Sequence, residues 1–580
     1  MGFGAKDVTI EYSPDGETWA PVENVPQFAQ GTGQATYTAN NIIDLGEVMA
    51  KHVRLTITDK WGLMSPMVSL SEVRFFYVPL QGYRPDPADG AAGVHIETTL
   101  SWRPGREATS HEVYLGADAN AVAEGAVTPA TVTDHSYTPP AMDLGALYYW
   151  KVDEVGDSGT CEGNLWNFTT QEFLVVDDFE SYGDDMDADD AVFQTWLDGY
   201  DDAANGSIVG IDPAVNGTFC ETTLVHGGRQ AMPLFYDNSG PATYAEAKRT
   251  FDDAQDWTTR GIKSLSLYFR GNAGNKGNLY VKINNTKVPY DGETGDIGAA
   301  LWLPWNIDLS AVGGNLSKVA SLAVGVEGAG AAGVVYIDDL RVYPRVGELI
   351  VPALPGDDNL AGAWSFDEGS GTKVADSSSN GNTGSAMGSP AWVAGKVGSG
   401  ALKFDGTDDL VEIPDSSSLD IEDTLTIAAW VNLTDITPTA FFVAKSPSGS
   451  APNNYPGNYE FRTEAATGRL QLGHQTAEGT QYIFYTSEGA LAVDEWLHIA
   501  VTLAEGDAVR FYINGIPAGT AAQTQPFGIL NDNAVSIGTR KDKYGFTGGM
   551  MDDVRVYERV LSAAEIAGLA GRTAPIHKPF

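Results

Sequence analysis

Short stretches that alternate hydrophobic and polar residues recur along the whole chain. Clear examples are DVTIEYS at 7–13, SLSLYFR at 264–270 and AVRFYI at 508–513. Alternation with a period of two puts one side of each stretch in a core and the other in solvent, which predicts β-strands. Turn sequences such as PDG at 14–16 and NG at 514–515 separate these stretches. The fold class is therefore predicted to be all-β, with tandem β-sandwich and jelly-roll domains.

One segment is predicted to be helical. It is SAAEIAGLA at 562–570, where Ser562 and Glu565 form a capping box. The composition favours strands elsewhere, because 66 Gly and 29 Pro suit many short strands joined by tight turns. A single core rarely grows to 580 residues, so about three to five domains are expected.

The formal charge of -42 excludes two classes of partner. Nucleic acids and anionic membrane surfaces both require clustered Lys and Arg. No apolar run reaches the roughly 18 residues that cross a bilayer, so no membrane insertion is expected. An acidic chain does attract divalent cations, although the charge also serves solubility alone.

The compartment is predicted to be extracellular, either secreted or on the cell surface. No signal peptide is visible at Met1, and the opening residues look like the middle of a β-domain, so an export signal is expected upstream. The two cysteines, Cys161 and Cys220, fall in different predicted domains, and we expect no disulfide between them.

Three predicted last strands set the domain boundaries. SEVRFFYVP, YIDDLRVYP and MDDVRVYER each end in a break. With a further boundary after NFTTQEF, the predicted order is a domain at 1–79, a module at 80–172, a jelly roll at 173–345, a linker at 346–359, a jelly roll at 360–572 and a tail at 573–580.

The first two segments resemble known extracellular modules. Residues 1–79 resemble the second half of a discoidin-like domain, which has the galactose-binding-like fold, through IEYSPDGETWAPV, HVRLTITDKWG and SLSEVRFFYV. Residues 80–172 resemble a fibronectin type III module through TLSWRPGREATSHEVYLG, LYYWKVDEV and WNFTT. That resemblance implies a spacer with Trp102, Tyr149 and Trp150 as core aromatics.

The two longer segments resemble carbohydrate-binding folds. Residues 173–345 are similar to galactose-binding-like jelly rolls, most closely family 11 carbohydrate-binding modules, through VVDDFESY, KSLSLYFRGN, WNIDLS and VYIDDLRVYP. Residues 360–572 resemble a laminin-G-like, concanavalin A-type jelly roll. The motifs are AWSFDEGSGTKVADSSSNGNTG, GKVGSGALKFDGTDDLVEIP, LTIAAWV, DEWLHIAVTL, VRFYINGIPAG and GGMMDDVRVYERVLSAAEI, in the expected order.

Two aspartates near the chain's closing strands are candidate calcium ligands. Asp338 shares the inward parity of Leu340 and Val342, and Asp552 occupies the same place in MDDVRVY. An inward carboxylate is costly unless it is paired or bound to a cation, and calcium prefers such oxygens. The alternative is an aspartate capped by backbone amides and solvent.

The resemblances extend this set of calcium candidates. Galactose-binding-like modules hold a structural calcium between the terminal-strand aspartate and acids of the first strand, which implies Asp178 and Glu180. Concanavalin A-type domains imply Asp367 and Asp405 as helpers of Asp552.

The candidate carbohydrate site combines aromatic and polar residues on non-core faces. Tyr268 and Arg270 alternate with core positions in one strand, and Tyr280 and Lys282 do so in another. Aromatic rings stack on the apolar face of a sugar while polar groups bond its hydroxyls. Trp302 and Trp305 are expected to add a platform. The alternative is a solvated outer sheet with cross-strand pairs.

The second jelly roll offers further candidates on its middle sheet. They are Tyr455, Tyr459, Arg462, His474, Tyr482 and Tyr485, of which Tyr459 and Arg462 are preferred. Some of these residues must belong to the core. A single histidine is more often structural than a ligand.

No catalytic residue is assigned. The E-x-D-x-x-E run of family 16 glycoside hydrolases is absent. FRTEA at 461–465 and QLGHQ at 471–475 resemble motifs of alginate lyases, but their spacing is expected to be too short for two separated strands. The chain is predicted to be a non-catalytic polysaccharide-binding protein, either an accessory or a fragment of a polysaccharide-degrading system. The alternatives are a cell-surface adhesion or assembly protein that binds other surface proteins, and a glycoside hydrolase or polysaccharide lyase with an unrecognised site.

Overall fold

A computed structural model describes most of the chain: residues 4–32, 41–46, 48, 50–62, 67–70, 72–77, 79–446, 457–476, 482–527, 530–540 and 545–580. These residues form two compact units, Met1–Glu172 and Phe173–Phe580. Antiparallel strands dominate both units, which confirms the all-β prediction. Within the described residues, no helix is long and apolar enough to span a membrane.

The first unit contains three sheets. Its elements are β1 (Ala5–Ser13), β2 (Ala20–Pro21), β3 (His52–Lys60), β4 (Tyr83–Asp86), β5 (Ala91–Val94), β6 (Leu100–Arg103), β7 (Ser110–Gly116), α1 (Ala119–Ala123), β8 (Ala130–Val132), β9 (Ser136–Tyr137), β10 (Leu147–Gly156), β11 (Gly159–Cys161) and β12 (Trp166–Thr170). The sheet orders are β2-β1-β3, then β4-β6-β9, then β5-β12-β10-β7-β8 with β11 beside β10.

Tryptophans make the core between the two later sheets of the first unit. Trp102, Trp150 and Trp166 are buried, with ring centroids of Trp150 6.3 Å from Trp102 and 4.9 Å from Trp166. Tyr149 is only half-buried, because strand alternation sends it to the side opposite Trp150.

The expected last strand of residues 1–79 is not formed in the described part of SEVRFFYVP. Phe75, Phe76 and Tyr77 are 61%, 89% and 83% exposed and belong to no strand. A strand requires a partner with which to pair its amides, and only an isolated bridge between Gly4 and Ser69 approaches this segment. Ser71 and Val78 lie outside the described residues.

The second unit begins with a sandwich over residues 174–343, the first sandwich. Its elements are β13 (Leu174–Asp177), α2 (Val192–Thr195), β14 (Trp196–Leu197), β15 (Ser207–Val209), α3 (Pro213–Asn216), β16 (Met232–Asp237), β17 (Tyr244–Gln255), β18 (Ser264–Arg270), β19 (Asn278–Ile283), β20 (Thr286–Pro289), β21 (Leu303–Asp308), β22 (Val319–Glu327) and β23 (Ala332–Tyr343). The β23 sheet has the order β15-β16-β23-β18-β21 with β13 on β23, and the β22 sheet has the order β14-β17-β22-β19-β20.

A second sandwich spans residues 360–557. After β24 (Leu349–Ile350) the elements are β25 (Leu360–Trp364), β26 (Lys373–Val374), β27 (Gly384–Met387), β28 (Ala391–Val393), β29 (Ala401–Asp405), β30 (Leu410–Ile413), β31 (Thr424–Leu433), β32 (Phe441–Lys445), β33 (Tyr459–Thr463), β34 (Arg469–Gln475), β35 (Tyr482–Ala490), β36 (Leu497–Ala504), β37 (Ala508–Ile513), β38 (Ile516–Ala522), β39 (Val535–Ile537), β40 (Gly548–Tyr557), α4 (Ala563–Leu569) and β41 (Ile576–His577).

The second sandwich also has two sheets around one core. The β40 sheet runs β28-β29-β40-β31-β36-β37-β38 with β25 on β40, and the β33 sheet runs β26-β27-β30-β39-β32-β33-β34-β35. Helix α4 follows β40 and starts at Ser562, whose side chain accepts from the Glu565 amide. The helix prediction is thus confirmed. Cys161 and Cys220 are free thiols.

The segment expected to be a tail packs against the first sandwich. Strand β41 pairs with β24 of the segment expected to be a linker. Glu293 accepts hydrogen bonds from the amides of Thr573 and Ala574, at 2.7 and 2.8 Å. The Phe580 ring stacks on Tyr343 at 3.9 Å between centroids. Residues 572–580 therefore join the two sandwiches within one unit.

A buried ion pair anchors this contact. Arg572 donates to both carboxylate oxygens of Asp296, at 2.9 and 2.8 Å, and the side chains are only 6% and 3% exposed. Asp296 also accepts from the hydroxyl of Tyr290 and the amide of Glu293. The bidentate geometry and these extra bonds offset the cost of removing both charges from water.

Replacing Arg572 with Ala should destabilise the second unit strongly. The change leaves the Asp296 carboxylate buried without its cation, which costs about 3–5 kcal/mol in comparable pairs. Denaturant unfolding followed by tryptophan fluorescence measures the change. The matched control is Arg510→Ala, which breaks an exposed pair with Asp507 and should cost less than about 1 kcal/mol. Equal effects of the two variants would contradict the role given to Arg572.

Acid should destabilise the protein through His498. This residue on β36 is buried against Trp430, and burial followed by the charge of Arg555 holds its pKa at about 3. The unfolded chain then binds the proton first, so stability that is complete above pH 6.5 is lost as the pH falls. The difference between the wild type and His498→Phe should change by about 2 kcal/mol from pH 6.5 to pH 5. Unfolding midpoints across that range measure it, and a constant difference would contradict the prediction.

Candidate functional site

Two carboxylates hold one loop at the edge of the second sandwich. The carboxylate of Asp552, on terminal strand β40, accepts from the amides of Lys396 and Val397 at 2.7 and 2.8 Å. Asp367, just after β25, accepts from the amides of Ser399 and Gly400 at 2.5 and 2.8 Å. We call residues 396–400 the second clamped loop.

The first sandwich has the same pattern of hydrogen bonds at corresponding residues. Asp338, on terminal strand β23, accepts from the amides of His226 and Gly227 at 2.8 and 3.1 Å. Glu180, after β13, accepts from the amides of Arg229 and Gln230 at 2.6 and 3.0 Å. Residues 226–230 are the first clamped loop.

A glycine completes each clamped loop at the same position. Gly228 and Gly398 have φ of 60° and 66°, and an added Cβ would lie 2.2 Å from an oxygen of Glu180 and 2.5 Å from one of Asp367. Only glycine fits a left-handed backbone this close to a carboxylate. The two sandwiches therefore share a local design that requires two acids and one glycine.

The terminal-strand aspartates were expected on the core side, and this expectation is wrong. The bulge residues Asp339 and Asp553, with φ of 51° and 43°, shift the alternation, so Asp338 and Asp552 lie on the outer face and are buried there by the clamped loops.

Burial raises the pKa of both Asp338 and Asp552 to about 6, although the loop amides oppose the shift. For Glu180 and Asp367, burial is outweighed by the amide bonds, and the pKa of each is lowered. Backbone amides thus bond all four acids, as in the capped-aspartate alternative that the sequence left open.

The donor atoms fit a cation in the second sandwich better than in the first. Oδ2 of Asp338 takes two amide bonds and Oδ1 takes a third from Asp339, so both oxygens are occupied. In Asp552 the amides of Lys396 and Val397 take Oδ2, and the Asp553 amide also lowers the pKa of this carboxyl without reaching hydrogen-bond geometry at Oδ1. Its buried Oδ1 has no hydrogen-bond partner among the described residues, and it is an available calcium ligand.

Asp367 holds the same loop as Asp552, whereas the candidates Asp178 and Asp405 have other surroundings. Asp178 accepts only from the Glu180 amide at 3.3 Å. Asp405 pairs with Gly548, four strand residues from Asp552 and therefore roughly 13 Å away along β40. It clusters with Asp408 and Asp409, where its carboxylate accepts from the amides of Thr407 and Asp408 in a turn.

An aromatic ring lies beside each clamp, covered by the first residue of the clamped loop. Tyr268 pairs with Asp338 across the β23 sheet, and the imidazole of His226 stacks on its ring at 3.5 Å between centroids. Trp430 pairs with Asp552 across the β40 sheet, and the Lys396 ammonium lies 4.9 Å from its ring centroid. Sequence reasoning missed His226, Lys396 and Trp430.

The expected carbohydrate residues of the first sandwich do not share one face. Tyr268 and Arg270 lie on β18 in the β23 sheet, whereas Tyr280 and Lys282 lie on β19 in the β22 sheet. Consecutive strands along the chain here belong to opposite layers. Tyr280 is also only 1% exposed, since it donates to Glu246 and lies under Lys287.

The two tryptophans at 302 and 305 also lie in different surroundings. Trp305 is 1% exposed and belongs to the core, because it pairs with the core residue Leu267. Trp302 is half-buried, and its ring meets His226 edge-on at 6.0 Å. Arg270 donates to the carbonyl of Ala300, and burial lowers its pKa. Of the two tryptophans expected to form a platform for a sugar ring, Trp302 is therefore the one that lies outside the core.

The tail covers part of the outer β23 sheet. Asn306 accepts from the hydroxyl of Ser266 and donates to the carbonyl of Lys578 at 2.7 Å. With the Tyr343 and Phe580 rings stacked nearby, the chain itself occupies this face. The face predicted to bind a sugar in the first sandwich is therefore largely closed.

The outer face of β33 to β35 in the second sandwich is open and mixed in character. Arg462 donates to Gln471 at 3.2 Å, and its guanidinium lies 3.9 Å from the ring centroid of Phe484. Tyr482 is 45% exposed and meets Phe484 edge-on at 5.5 Å. We call these four residues, with Thr486 beside Gln471, the outer patch.

Strand alternation decides which of the other candidate carbohydrate-binding residues of this sheet face the core. Tyr459, Tyr485 and His474 face the core, and Tyr459 is fully buried with its hydroxyl donating to the Leu419 carbonyl. Burial lowers the pKa of His474. Tyr455 lies outside the described residues. Of the two preferred residues, only Arg462 reaches the outer face.

Strand alternation also places the key residues of the two lyase-like motifs on opposite faces of the sheet. Arg462 and Gln471 lie opposite each other on adjacent strands, so the spacing does allow two neighbouring strands. His474, however, packs between Tyr485 and Phe527 on the core side. A base on the core side cannot reach a substrate that lies against Arg462.

Comparisons with known proteins agree on part of this description. Residues 405–567 match the family described as the Concanavalin A-like lectin/glucanases superfamily. No curated protein matches the chain.

Among solved structures, the chain is similar to domain 4 of AbnA, a GH43 extracellular arabinanase from Geobacillus stearothermophilus, in complex with arabinotriose. The identity is 21%, the match covers 37% of this chain and 98% of that one, and the TM-score is 0.30. It is also similar to the binding domain of Paraclostridial Mosquitocidal Protein 1, at 16% identity, covering 37% of this chain and 52% of that one, with a TM-score of 0.30. The family match confirms the prediction made for the last jelly roll: residues 405–567 belong to a concanavalin A-like domain of the lectin and glucanase type.

Proposed function

We propose that this chain is an extracellular, non-catalytic polysaccharide-binding protein that works as an accessory or as part of a polysaccharide-degrading system. The observation that carries the proposal is the outer patch of the second sandwich, where the exposed Tyr482 ring meets Phe484, whose ring in turn lies against the Arg462 guanidinium. The patch lies in the concanavalin A-like domain, whose family includes lectins and glucanases.

The chemistry of the outer patch suits a sugar chain. A tyrosine ring stacks on the apolar face of a pyranose, while guanidinium and amide groups bond its hydroxyls. Gln471 is only 8% exposed and its amide is already bonded to Thr486 and Arg462, so it positions the Arg462 guanidinium, which is the group left to contact the sugar. The patch also extends along three neighbouring strands, as an extended polysaccharide requires.

Replacing Tyr482 with Ala should weaken retardation in affinity gels that contain soluble polysaccharide. Loss of one stacking ring is worth about 0.5–1.5 kcal/mol, which corresponds to about 2- to 12-fold in affinity. Gels with β-glucan, xylan, alginate and a sulfated glycan identify the class of polymer.

The matched control for that experiment is Tyr200→Ala, because Tyr200 is 83% exposed but lies in the first sandwich. Its removal should leave retardation unchanged. Absence of retardation by every polymer, together with binding to purified surface proteins, would favour the adhesion alternative. Release of reducing sugars would instead establish a catalytic function.

We propose further that a structural calcium binds at Asp552 and not at Asp338. The support is the buried Oδ1 of Asp552, which is left without a partner, against the fully occupied carboxylate of Asp338. A metal that binds only the native state stabilises it by mass action.

Chelation should therefore lower the thermal midpoint of the wild type and of Asp338→Asn, but not of Asp552→Asn. Differential scanning calorimetry with and without chelator makes the measurement, after metal content has been checked by mass spectrometry. An unchanged wild-type midpoint after confirmed metal removal would exclude the site, and an equal response of the two variants would contradict the choice between them.

A further inference from the structure

Residues 72–77 of the first unit, which we call the exposed segment, combine exposed aromatic rings with an unpaired backbone. Phe75, Phe76 and Tyr77 are 61%, 89% and 83% exposed. Within the part of the chain that the structure describes, no residue of this segment takes part in a strand or a bridge. Unpaired strand-like backbone and a contiguous apolar surface are both typical of a site that pairs with another chain.

The exposed segment is an extended chain with two different faces. Arg74 Nε lies 2.7 Å from Oε1 of Glu72. Side chains two residues apart meet in an extended chain, where both point to the same side, and not in a helix. The same alternation places Leu70 and Phe76 on either side of this ion pair. The opposite face is apolar and consists of Val73, Phe75 and Tyr77.

The charged face is complementary to itself. When two copies of the segment lie antiparallel with Val73 opposite Val73, Glu72 of each copy faces Arg74 of the other, and Leu70 faces Phe76. Side chains directly opposite each other have Cβ atoms about 4.5–5.5 Å apart, which is close enough for both kinds of pair. Moving the twofold axis by one residue places Glu72 opposite Glu72 or Arg74 opposite Arg74. The sequence therefore favours one register and opposes its neighbours.

The aromatic rings give this contact enough surface. An aromatic side chain buries about 150–250 Å², so the three exposed rings of each copy can together remove roughly 1,000 Å² from water in a pair. That area is close to the lower limit of specific interfaces, which is about 1,000–1,200 Å². The formal charge of -42 opposes self-association, but residues 67–77 contain one acid and one base, and charges beyond about 8 Å are screened at physiological salt.

We propose that the exposed segment is a self-association surface, through which two copies of this chain pair as antiparallel strands with Val73 on the twofold axis. The pairing supplies partners for the amides and carbonyls of the segment. A closed twofold contact uses the same surface on both copies, so it produces a dimer and not a filament. The proposal does not depend on the binding of polysaccharide.

Sedimentation velocity with the full chain, across the micromolar concentration range, tests the proposal. The wild type should pass from monomer to dimer as the concentration rises. Phe76→Ser removes both Leu–Phe pairs, and Glu72→Arg sets arginine opposite arginine twice, so each should weaken the dimer at least ~10-fold. Both side chains are exposed, so the thermal midpoint should not move. The matched control is Asp507→Arg, because Asp507 is an exposed acid paired with Arg510 in the second sandwich, and it should leave the dimer unchanged.

Exchange of the two charges gives the sharper test of the register. The double variant with Glu72→Arg and Arg74→Glu restores both ion pairs and should regain the wild-type affinity. A mixture of the two single variants should form a heterodimer, although each alone associates weakly, because only the mixed pair places opposite charges together. A wild type that stays monomeric at every concentration, or a dimer that tolerates both Phe76→Ser and Glu72→Arg, would refute the surface. Exchange variants that fail to restore association would contradict the register.

Discussion

The buried carboxylate of each terminal strand is the constraint on which the second unit depends. Such a group must find hydrogen bonds where it is buried, and here the chain supplies them by folding one loop over the outer face at the sandwich edge. Asp338 and Asp552 each capture two successive amides, and an acid after the first strand captures two more. Four amide bonds fix the loop, and the loop in turn places a side chain over the neighbouring aromatic ring. The hydrogen bonds that the buried aspartate requires thereby also fix the shape of the surface beside it.

The same pattern of hydrogen bonds supports a different surface in each of the two sandwiches. In the first sandwich a rigid imidazole stacks on Tyr268 and is tied to Asp339, so the space beside the ring is filled by protein. In the second, Lys396 reaches across Trp430 with a mobile cation and leaves space beside it. Because the backbone is held by corresponding acids in both, the difference lies in two side chains: Lys396 stands where the first sandwich has His226, and Trp430 where it has Tyr268.

The alternation of hydrophobic and polar residues predicted much of this structure. It failed where alternation alone does not determine the position of a residue. It predicted the all-β class and the capped helix at Ser562. It placed Asp338 and Asp552 on the core side wrongly, because the bulges that follow them shift the alternation by one residue. The same parity, applied to LPWNID and YEFR, would have placed Trp305 and Tyr459 in the core, since each alternates with polar neighbours. It could not show that β18 and β19 lie in different sheets, because a turn sequence does not specify the layer of the next strand. Nor could it show the clamps, which join residues up to 156 positions apart.

Docking of the terminal segment decides which surface remains available for a large ligand. Arg572 and Asp296 are buried as a pair, and the residues beyond them extend across the outer β23 sheet to the stacked rings of Tyr343 and Phe580. A polymer that approached that sheet would have to displace this segment and expose the ion pair, which is strongly unfavourable. No comparable segment of the described residues crosses the outer patch around Arg462 and Tyr482. The ion pair that joins the two sandwiches thus closes one carbohydrate face and directs extended ligands to the other.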